Sequence, residues 1–248
     1  MILRRFFIFV FLLFSSVLHA QDENVFVEDK TELLRNEMSF GAILHSNGWG
    51  IDVRRCRNKT AYNKHLYEIE IVGMNNPKEY KTTNPYYDNE GSYIFGKLNS
   101  LLLVRTGTGF QKIIYSKGER GGLEVRMCYS AGISWGFVKP VYLDILKSTN
   151  FIAKEIVVEK YDPEKHTVDN ILGKASFTNG LNELKINPGG YAKFGFNFEF
   201  ASSDTEIRAI ETGVCLDGFF KPIPIMAFIE NKPYFLSFYV NILWGKKW

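Results

Sequence analysis

The chain has 248 residues with 30 basic and 27 acidic side chains, which give a formal net charge of +3 at pH 7. Such a small excess creates no field that would attract nucleic acid, so we expect no nucleic-acid partner. The chain is 15% aromatic and contains 21 Gly and 8 Pro, which favours an all-β fold with many turns. No break in composition follows residue 38, so we expect one domain from there on.

Residues 1–20 have the pattern of a secretory signal peptide. Arg4 and Arg5 precede the apolar run 6–18, and Ala20 supplies a small residue at the cleavage point. A membrane anchor needs roughly 20 apolar residues, and this run is shorter. We therefore predict cleavage between Ala20 and Gln21. Loss of the two arginines lowers the net charge from +3 to about +1, and a mature chain that enters a membrane must do so as strands.

Residues 21–37 differ from the rest of the chain, with six acids, two bases and no turn residues. We interpret them as a short acidic periplasmic arm, with a short helix near residues 28–36 as an alternative.

Eight strands follow this arm, each with an alternating or strongly apolar pattern. They are predicted at residues 38–46, 49–57, 65–74, 93–115, 121–145, 181–200, 206–220 and 234–244. Asn47-Gly48 is a strong hairpin signal between the first two strands. Residues 75–92 and 146–180 are predicted to be long polar loops.

The alternation is clearest in residues 123–137 and 191–200, where bulky apolar side chains alternate with small or charged ones. A soluble barrel with an apolar interior would show the same period. Three features favour lipid contact instead. One short strand carries a row of four phenylalanines, too bulky for a small lumen; its other face is small or charged; and connections after the first hairpin alternate between short and long.

The last strand, Tyr234–Trp244, is two-faced, and the chain given ends in Trp248. Together with the signal peptide and eight strands, these features resemble the small outer-membrane β-barrel proteins of Bacteroidota. The resemblance covers residues 38–248. It implies an eight-stranded antiparallel transmembrane β-barrel in contact with outer-membrane lipid, inserted by the barrel assembly machinery. That machinery reads the last strand, here represented by Phe238, Trp244 and Trp248.

If the apolar face meets lipid, the opposite face directs four bases and seven acids into the lumen. These residues are Asp52, Arg54, Glu68, Glu70, Arg105, Glu124, Arg126, Lys193, Glu199, Glu211 and Asp217. An eight-stranded barrel has interior space only for side chains. The charges must therefore pair or take up protons. We predict an ionic network that fills the barrel, with Arg126, Glu124, Lys193 and Glu199 sharing one part of it. The alternatives are a narrow proton or ion path through the lumen and a ligand pocket at one mouth of the barrel.

No motif for catalysis, a cofactor or a metal stands out. His45 and Ser46 are adjacent and so point to opposite faces, which excludes them as a pair on one side of a strand. His166 lies in the long polar loop near acidic residues, a composition common in solvated loops. Cys56, Cys128 and Cys215 make an odd count. They are interpreted as buried fillers, with one disulfide and a spare thiol as the alternative.

The leading functional hypothesis is a non-enzymatic outer-membrane barrel that is structural or a small subunit of an envelope assembly. Its contact surfaces are expected in loops 75–92 and 146–180, which are longer than barrel closure requires. The contact candidates are Tyr86, Tyr87, Tyr161, Asp162 and His166. The alternatives are a lipid-modifying enzyme and a surface adhesin or ligand-binding barrel. The sequence specifies neither the partner nor the oligomeric state.

Overall fold

The structure is a computed structural model that describes residues 36–60, 62–87, 91–117, 122–150, 153–201, 203 and 205–248. Thirteen strands are present in these residues. Eight of them form the barrel: β1 (Asn36–His45), β2 (Gly48–Asn58), β3 (Asn63–Met74), β6 (Asn99–Tyr115), β7 (Glu124–Pro140), β11 (Lys185–Glu199), β12 (Glu206–Phe219) and β13 (Tyr234–Lys247). The other five are β4 (Lys81–Thr82), β5 (Tyr93–Ile94), β8 (Tyr142–Asn150), β9 (Ala153–Lys160) and β10 (Ile171–Lys174).

The eight long strands form a closed antiparallel barrel, as predicted. Each pairs with the next long strand along the chain, and β13 pairs with β1 to close the sheet. Closure leaves no unpaired edge in the barrel wall. The β1–β2 hairpin turns at Asn47-Gly48, where Gly48 has a φ of 150°. A Cβ on Gly48 would lie 2.2 Å from the Gly73 carbonyl oxygen, so the position requires glycine.

The two ends of the barrel differ in the length of their connections. The end at which β1 begins has the short connections 59–62, 116–123 and 200–205; we call it the short-turn end. The opposite end has the tight β1–β2 turn and the long connections 75–98, 141–184 and 220–233; we call it the long-connection end. This alternation, with its one exception at the first hairpin, was predicted.

The barrel is apolar outside and polar inside. On β7, Tyr129 and Ile133 are exposed, whereas Ser130 and Ser134 between and after them are buried. Each barrel strand contributes an exposed large apolar side chain: Phe40, Ile51, Ile69, Leu102, Ile133, Phe196, Ile210 and Ile242. The predicted facing of the strands is therefore confirmed.

The long connections are more structured than the sequence predicted. The stretch 121–145 is two strands, because β7 ends at Pro140 and β8 leaves the barrel after Val141. β8 pairs with β9 on one side and β10 on the other in a three-stranded sheet, which we call the outer sheet. Its own apolar core contains Tyr93, Val141, Leu143, Ile145, Tyr161 and Ile171. The prediction of polar loops at 75–92 and 146–180 was thus wrong in part, since β4, β9 and β10 lie within them.

An apolar cluster fills the barrel at the long-connection end. It joins wall residues to Ile223, Ile225 and Met226 of the β12–β13 connection; its wall members include Ile43, Val72, Met74, Leu101, Leu103, Val138 and Phe219. The Leu98 N–H donates to the Ile225 carbonyl oxygen at 2.9 Å, which fixes this connection in place. The cluster therefore closes this end of the lumen with apolar side chains.

The signal peptide, its cleavage point and residues 21–35 of the acidic arm lie outside the described residues. Asn36 and Glu37 do not continue that arm, because they begin β1 two residues before the predicted barrel boundary. Among the described residues, no helix has the length and apolar character to cross a membrane.

Candidate functional site

Arg54 is the centre of the charged lumen. Its side chain is 1% exposed, and its Nε lies 2.6 Å from Asp52 Oδ2 and 3.6 Å from Glu68 Oε2. Its Nη1 donates to Glu211, and its Nη2 lies 3.9 Å from Glu70 Oε1. One guanidinium therefore faces four carboxylates. Burial removes these carboxylates from bulk solvent, so their desolvation cost has to be offset by a cation that is buried with them.

A second set of cations neutralises the same carboxylates from the long-connection side. Lys193 Nζ lies 3.1 Å from Glu68 Oε2 and also pairs with Glu70. Arg105 donates to both oxygens of Asp217 at 2.8 and 2.7 Å, and to Glu70 Oε2 at 3.0 Å. Glu70 thus connects Lys193 to Arg105, and the charges form one continuous central network.

Neutral side chains complete the hydrogen bonding of this network. Tyr191 and Ser130 hydroxyls donate to Glu68 Oε1 at 2.8 and 2.5 Å. The Tyr239 hydroxyl donates to Glu211 Oε1 at 2.8 Å, and Asn241 Nδ2 donates to Asp52 Oδ1 at 3.0 Å. The Ser134 hydroxyl donates to Asp217 Oδ1 at 2.9 Å. Buried carboxylates are tolerated when they have several donors of this kind.

A separate basal network lies near the short-turn end. Arg126 pairs with Glu124 and Glu199, and its Nη1 lies 3.5 Å from Glu37 Oε2. Glu199 also receives hydrogen bonds from Lys117 at 3.1 Å and Lys247 at 2.5 Å, while Lys64 pairs with Glu37. Lys193 was predicted to share a network with Arg126. That prediction was wrong, because Lys193 reaches only carboxylates of the central network.

The structure also corrects the predicted excess of acid. All eleven predicted lumen residues point inward, but four more charges join them: Glu37, Lys64, Lys117 and Lys247. Within the described residues the lumen then holds seven bases against eight acids. Sequence reasoning missed these four because they lie at strand ends, where it assigned an arm, a turn or the chain beyond the last strand. The small remaining excess gives little reason to invoke a bound cation.

The lumen offers little open space. A cavity of about 10 Å³ lies between Arg105, Lys193, Glu70 and His45. That volume accommodates a single water molecule. With the apolar cluster above it and the ionic networks below, the described lumen is a packed interior, in which an ion would have to displace paired side chains.

Cys56, Cys128 and Cys215 are free thiols with buried side chains that point into the barrel. The Cys215 thiol lies 3.9 Å from Asp217 Oδ2, at the limit of a sulfur hydrogen bond. The structure therefore agrees with the interpretation of buried fillers rather than with a disulfide.

Two of the predicted contact residues belong to the core of the outer sheet. Tyr161 is 5% exposed and His166 is 4% exposed, and their rings are 6.1 Å apart. His166 Nδ1 accepts a hydrogen bond from the Asp162 N–H at 3.0 Å, and His166 Nε2 lies 3.4 Å from Glu159 Oε2. Tyr161 and His166 were therefore wrongly predicted as contact residues, because they hold the 161–170 turn against the sheet.

Asp162 and Tyr86 remain accessible. Asp162 organises the turn, since its Oδ1 accepts from the Glu164 N–H at 3.0 Å. This hydrogen bond and the nearby Lys165 ammonium hold the pKa of Asp162 below its ordinary value. Tyr86 is 70% exposed, and its neighbour Tyr87 is half-buried. The accessible contact candidates are thus Tyr86, the partly exposed Tyr87 and Asp162.

The histidines considered for chemistry are dispersed. His45 points into the lumen, whereas the Ser46 hydroxyl accepts a hydrogen bond from the Phe238 N–H at 3.3 Å. His65 packs edge-on against Tyr67 and Phe110 on the outer wall. In the described part of the chain, His, Cys, Asp and Glu side chains nowhere form a group of three or more that could hold a metal ion.

The three residues predicted to mark the last strand for assembly lie at different levels of β13 and beyond. Phe238, Trp244 and Trp248 are all exposed. Trp248 continues the pairing past the strand end, because its N–H and carbonyl exchange hydrogen bonds of 2.9 Å with Asn36. Trp244 and Trp248 lie at the short-turn end, and Phe238 lies toward the other end.

Comparison with known proteins found proteins that are similar to this chain in structure, but none by sequence. No protein-family model matches the chain, and no curated protein matches its sequence. The chain is similar to the crystal structure of Neisserial surface protein A, with a TM-score of 0.41 and 6% identity over 86% of this chain and 96% of that one. It is also similar to Ail, the attachment invasion locus protein of Yersinia pestis, in complex with the heparin analogue sucrose octasulfate. There the TM-score is 0.38, with 5% identity over 86% of this chain and 97% of Ail.

Proposed function

We propose that this protein is a non-enzymatic integral outer-membrane β-barrel. The supporting observation is the inverted distribution of polarity, with a charged lumen and an exposed large apolar side chain on every barrel strand. A soluble protein rarely exposes a contiguous apolar surface of more than a few hundred Å². A belt around a whole barrel is far larger than that. A lipid bilayer suits both faces of this wall, because its hydrocarbon covers the apolar outer side chains while the polar side chains stay enclosed in the lumen.

Aromatic side chains at both ends of the wall support the same proposal. Tyr62, Tyr115 and Trp244 are exposed at the short-turn end, and Trp49 and Tyr234 are exposed at the long-connection end. Amphipathic rings favour the level of the lipid headgroups. Short periplasmic turns and longer external loops are typical of outer-membrane barrels. In our proposal the outer sheet therefore faces the cell exterior.

Cell fractionation tests this location. We expect the mature protein in the outer membrane, resistant to carbonate extraction, with a boiled sample migrating differently from an unboiled one on a denaturing gel. Recovery as a freely soluble periplasmic protein would refute the proposal. Signal-peptide cleavage, insertion by the barrel assembly machinery and a Bacteroidota-type origin remain part of this proposal. They can be tested by N-terminal sequencing and by depletion of the machinery.

We further propose that the protein acts by contact at the long-connection end, as a small subunit of an envelope assembly. The lumen is occupied by paired charges, so its side chains are already committed to one another. By contrast, large apolar side chains at this end are left in solvent: Tyr80, Tyr86, Phe177 and Phe228. Exposed aromatic side chains are enriched where proteins meet. The same observation also supports the adhesin alternative, in which the partner lies outside the cell.

Photo-crosslinking in cells tests this contact role. A photoreactive amino acid at Tyr86 should give a discrete crosslinked product with a protein of the envelope or of the exterior. The matched control is Tyr62, which has the same residue type and similar exposure at the opposite end. Equal crosslinking from the two positions, or from neither, would contradict a contact surface at the long-connection end.

A further inference from the structure

Basic side chains gather on the outside of the wall at the short-turn end. Six of them are exposed there, and we call them the basic arc: Arg55, Arg57, Lys59, Lys112, Arg208 and Lys246. The strand residues among them belong to the outward face, because their neighbours in the strand point into the lumen; Lys246, for instance, precedes Lys247, which pairs with Glu199. Arg55, for example, lies between the buried Arg54 and Cys56. The arc therefore continues the apolar belt toward the short-turn end.

The strand register brings the two halves of the arc together across β1. Met38 pairs with Arg55 of β2 on one side and with Lys246 of β13 on the other. Directly opposite side chains in an antiparallel sheet have Cβ atoms about 5 Å apart, so Arg55 and Lys246 start roughly 10 Å apart. Both side chains are long enough to reach one group placed over Met38. Two residues further along β2, toward the short-turn end, Arg57 pairs with Asn36 of β1.

Four bases of the arc form no ion pair with any described residue, in contrast to the paired bases of the lumen: Arg55, Arg57, Lys112 and Lys246. Among the described outward residues of this end, the acid of the arc's own strands is Glu206, and its Oε2 lies 3.2 Å from Arg208. Within the described residues, the arc thus carries a surplus of positive charge that acidic side chains do not neutralise.

The neighbours of the arc are those of a lipid headgroup site. Arg55 pairs with Tyr67, and Arg208 pairs with Trp244, both exposed aromatic residues. Trp244 in turn pairs with the exposed Phe40, in the row above Met38. A ligand held here would have its anionic group among the bases and its apolar part against the belt. A phospholipid has both an anionic group and an apolar part, whereas a soluble anion has no apolar part to contact the belt.

We propose that the β13–β1–β2 part of the basic arc, formed by Lys246, Arg55 and Arg57, binds the headgroup of an anionic phospholipid. The inference rests on the proposed membrane location and adds a specific lipid site to it. It also gives the short-turn end a defined leaflet, since the site selects phospholipid with a net negative headgroup over zwitterionic phospholipid.

Fluorescence quenching by brominated lipids tests the proposal on the folded, full-length mature protein. Trp49 and Trp135 are replaced by Phe, so that Trp244 and Trp248 at the short-turn end are the reporters. The protein is inserted in phosphatidylcholine vesicles that contain either brominated phosphatidylglycerol or brominated phosphatidylcholine. Bases at a membrane surface each favour anionic lipid about fivefold. We expect a preference for phosphatidylglycerol of about tenfold or more, weakened by salt.

Variants that lose the same number of positive charges distinguish a specific lipid site from a general effect of net charge. Replacing Arg55, Arg57 and Lys246 by Gln should bring the preference close to one. A charge-matched control replaces three exposed lysines of the long-connection end by Gln, and it should keep the preference: Lys185, Lys221 and Lys232. Changing Arg55 and Arg57 to Lys should also retain most of it. The gel shift on boiling confirms that each variant is folded.

Two outcomes overturn the inference. Equal quenching by both lipids in the parent protein would show that no anionic site exists. An equal loss in the arc variant and in the control would show that only net charge matters. Either result would leave the membrane location standing, because the protein would still be inserted. Failure of the folded barrel to enter vesicles at all would instead refute the proposed function.

Discussion

Replacement of Arg54 by Met tests whether the central network holds the barrel together. The substitution keeps much of the side-chain volume and removes the one guanidinium that faces Asp52, Glu68, Glu70 and Glu211. Glu68 and Glu70 keep Lys193 as a cation. Asp52 keeps the Asn241 amide at 3.0 Å. Glu211 keeps the Tyr239 hydroxyl at 2.8 Å, the Asn197 amide at 3.3 Å and the Lys193 ammonium at 4.0 Å.

Loss of one partner from a buried ion pair costs about 3–5 kcal/mol, because it leaves an uncompensated charge. We expect this loss in the free energy of unfolding, measured by urea titration of the barrel in zwitterionic vesicles. Arg55→Met is the control. It changes the next residue to the same side chain on the outer face, where substitutions are usually within about 0.5 kcal/mol. An additional Glu211→Leu change should recover part of the Arg54→Met loss.

The pH dependence of the stability of the Arg54→Met variant gives a second, independent test of the central network. If the Arg54→Met barrel folds by taking up one proton on its uncompensated carboxylates, the native state binds more protons than the unfolded state. Stability then falls as pH rises, by up to about 1.4 kcal/mol per pH unit. The variant should therefore approach the parent protein between pH 7 and pH 5. A loss below about 1 kcal/mol at pH 7, or equal effects of Arg54→Met and Arg55→Met, would refute the reasoning.

Three further predictions test facing, packing and the outer sheet. Phe196→Arg should block assembly, since a cation on the lipid face near mid-bilayer costs about 2–4 kcal/mol. Asn197→Ser in the lumen should still assemble, at a cost of about 1 kcal/mol for the hydrogen bond that Asn197 donates to Glu211; reversed effects in a vesicle-folding assay would invert the facing. Gly41→Ala should destabilise by about 1–3 kcal/mol, because its Cβ would meet Asp52 and Asn241 oxygens. Gly218→Ala, with nothing within 4 Å of the new Cβ, should be neutral or stabilising in the same urea assay. Hydrogen bonds from Lys160 and Tyr142 hold the pKa of Glu183 below 4.5, so its contribution is present above pH 4.5 and lost as pH falls below it. The protection factor for amide exchange at residues 181–184, taken against the intrinsic exchange rate at each pH, should therefore fall at acid pH, and an unchanged protection factor would contradict this.

The wall of the barrel was predictable from sequence because its period is fixed by strand geometry. Alternate residues must face opposite sides, so the choice of which face meets lipid assigns every wall residue at once. This is why Arg54, Glu70 and Asp217 were all correctly placed in the lumen. The pairing partners were harder to predict, because they depend on barrel stagger and on side-chain reach. Lys193 therefore points to Glu68 and Glu70 on β3 rather than to Glu124 and Glu199, the carboxylates that pair with Arg126.

The long connections were less predictable, because hydrophilic composition was taken to mean an exposed loop. Tyr161 shares an apolar core with Leu143 and Ile145 of β8, which the sequence pattern had merged with β7. His166 packs in turn on the Tyr161 ring. The signal that was missed is the apolar alternation of Leu143 and Ile145 after Pro140, a second dyad pattern beyond the end of the wall strand. Proline at that boundary ends the ladder of one strand and allows the chain to leave the sheet.

The two ends of the barrel now carry different physical properties, which separates the two proposals. At the long-connection end, apolar side chains close the lumen, and Tyr80, Tyr86, Phe177 and Phe228 are exposed on the connections. At the short-turn end, the described bases of the lumen are paired, whereas Arg55, Arg57 and Lys246 on the outer wall form no ion pair with a described residue. In our two proposals, the unpaired bases bind anionic headgroups and the exposed aromatic residues contact a protein surface, so each end has a partner of different chemistry.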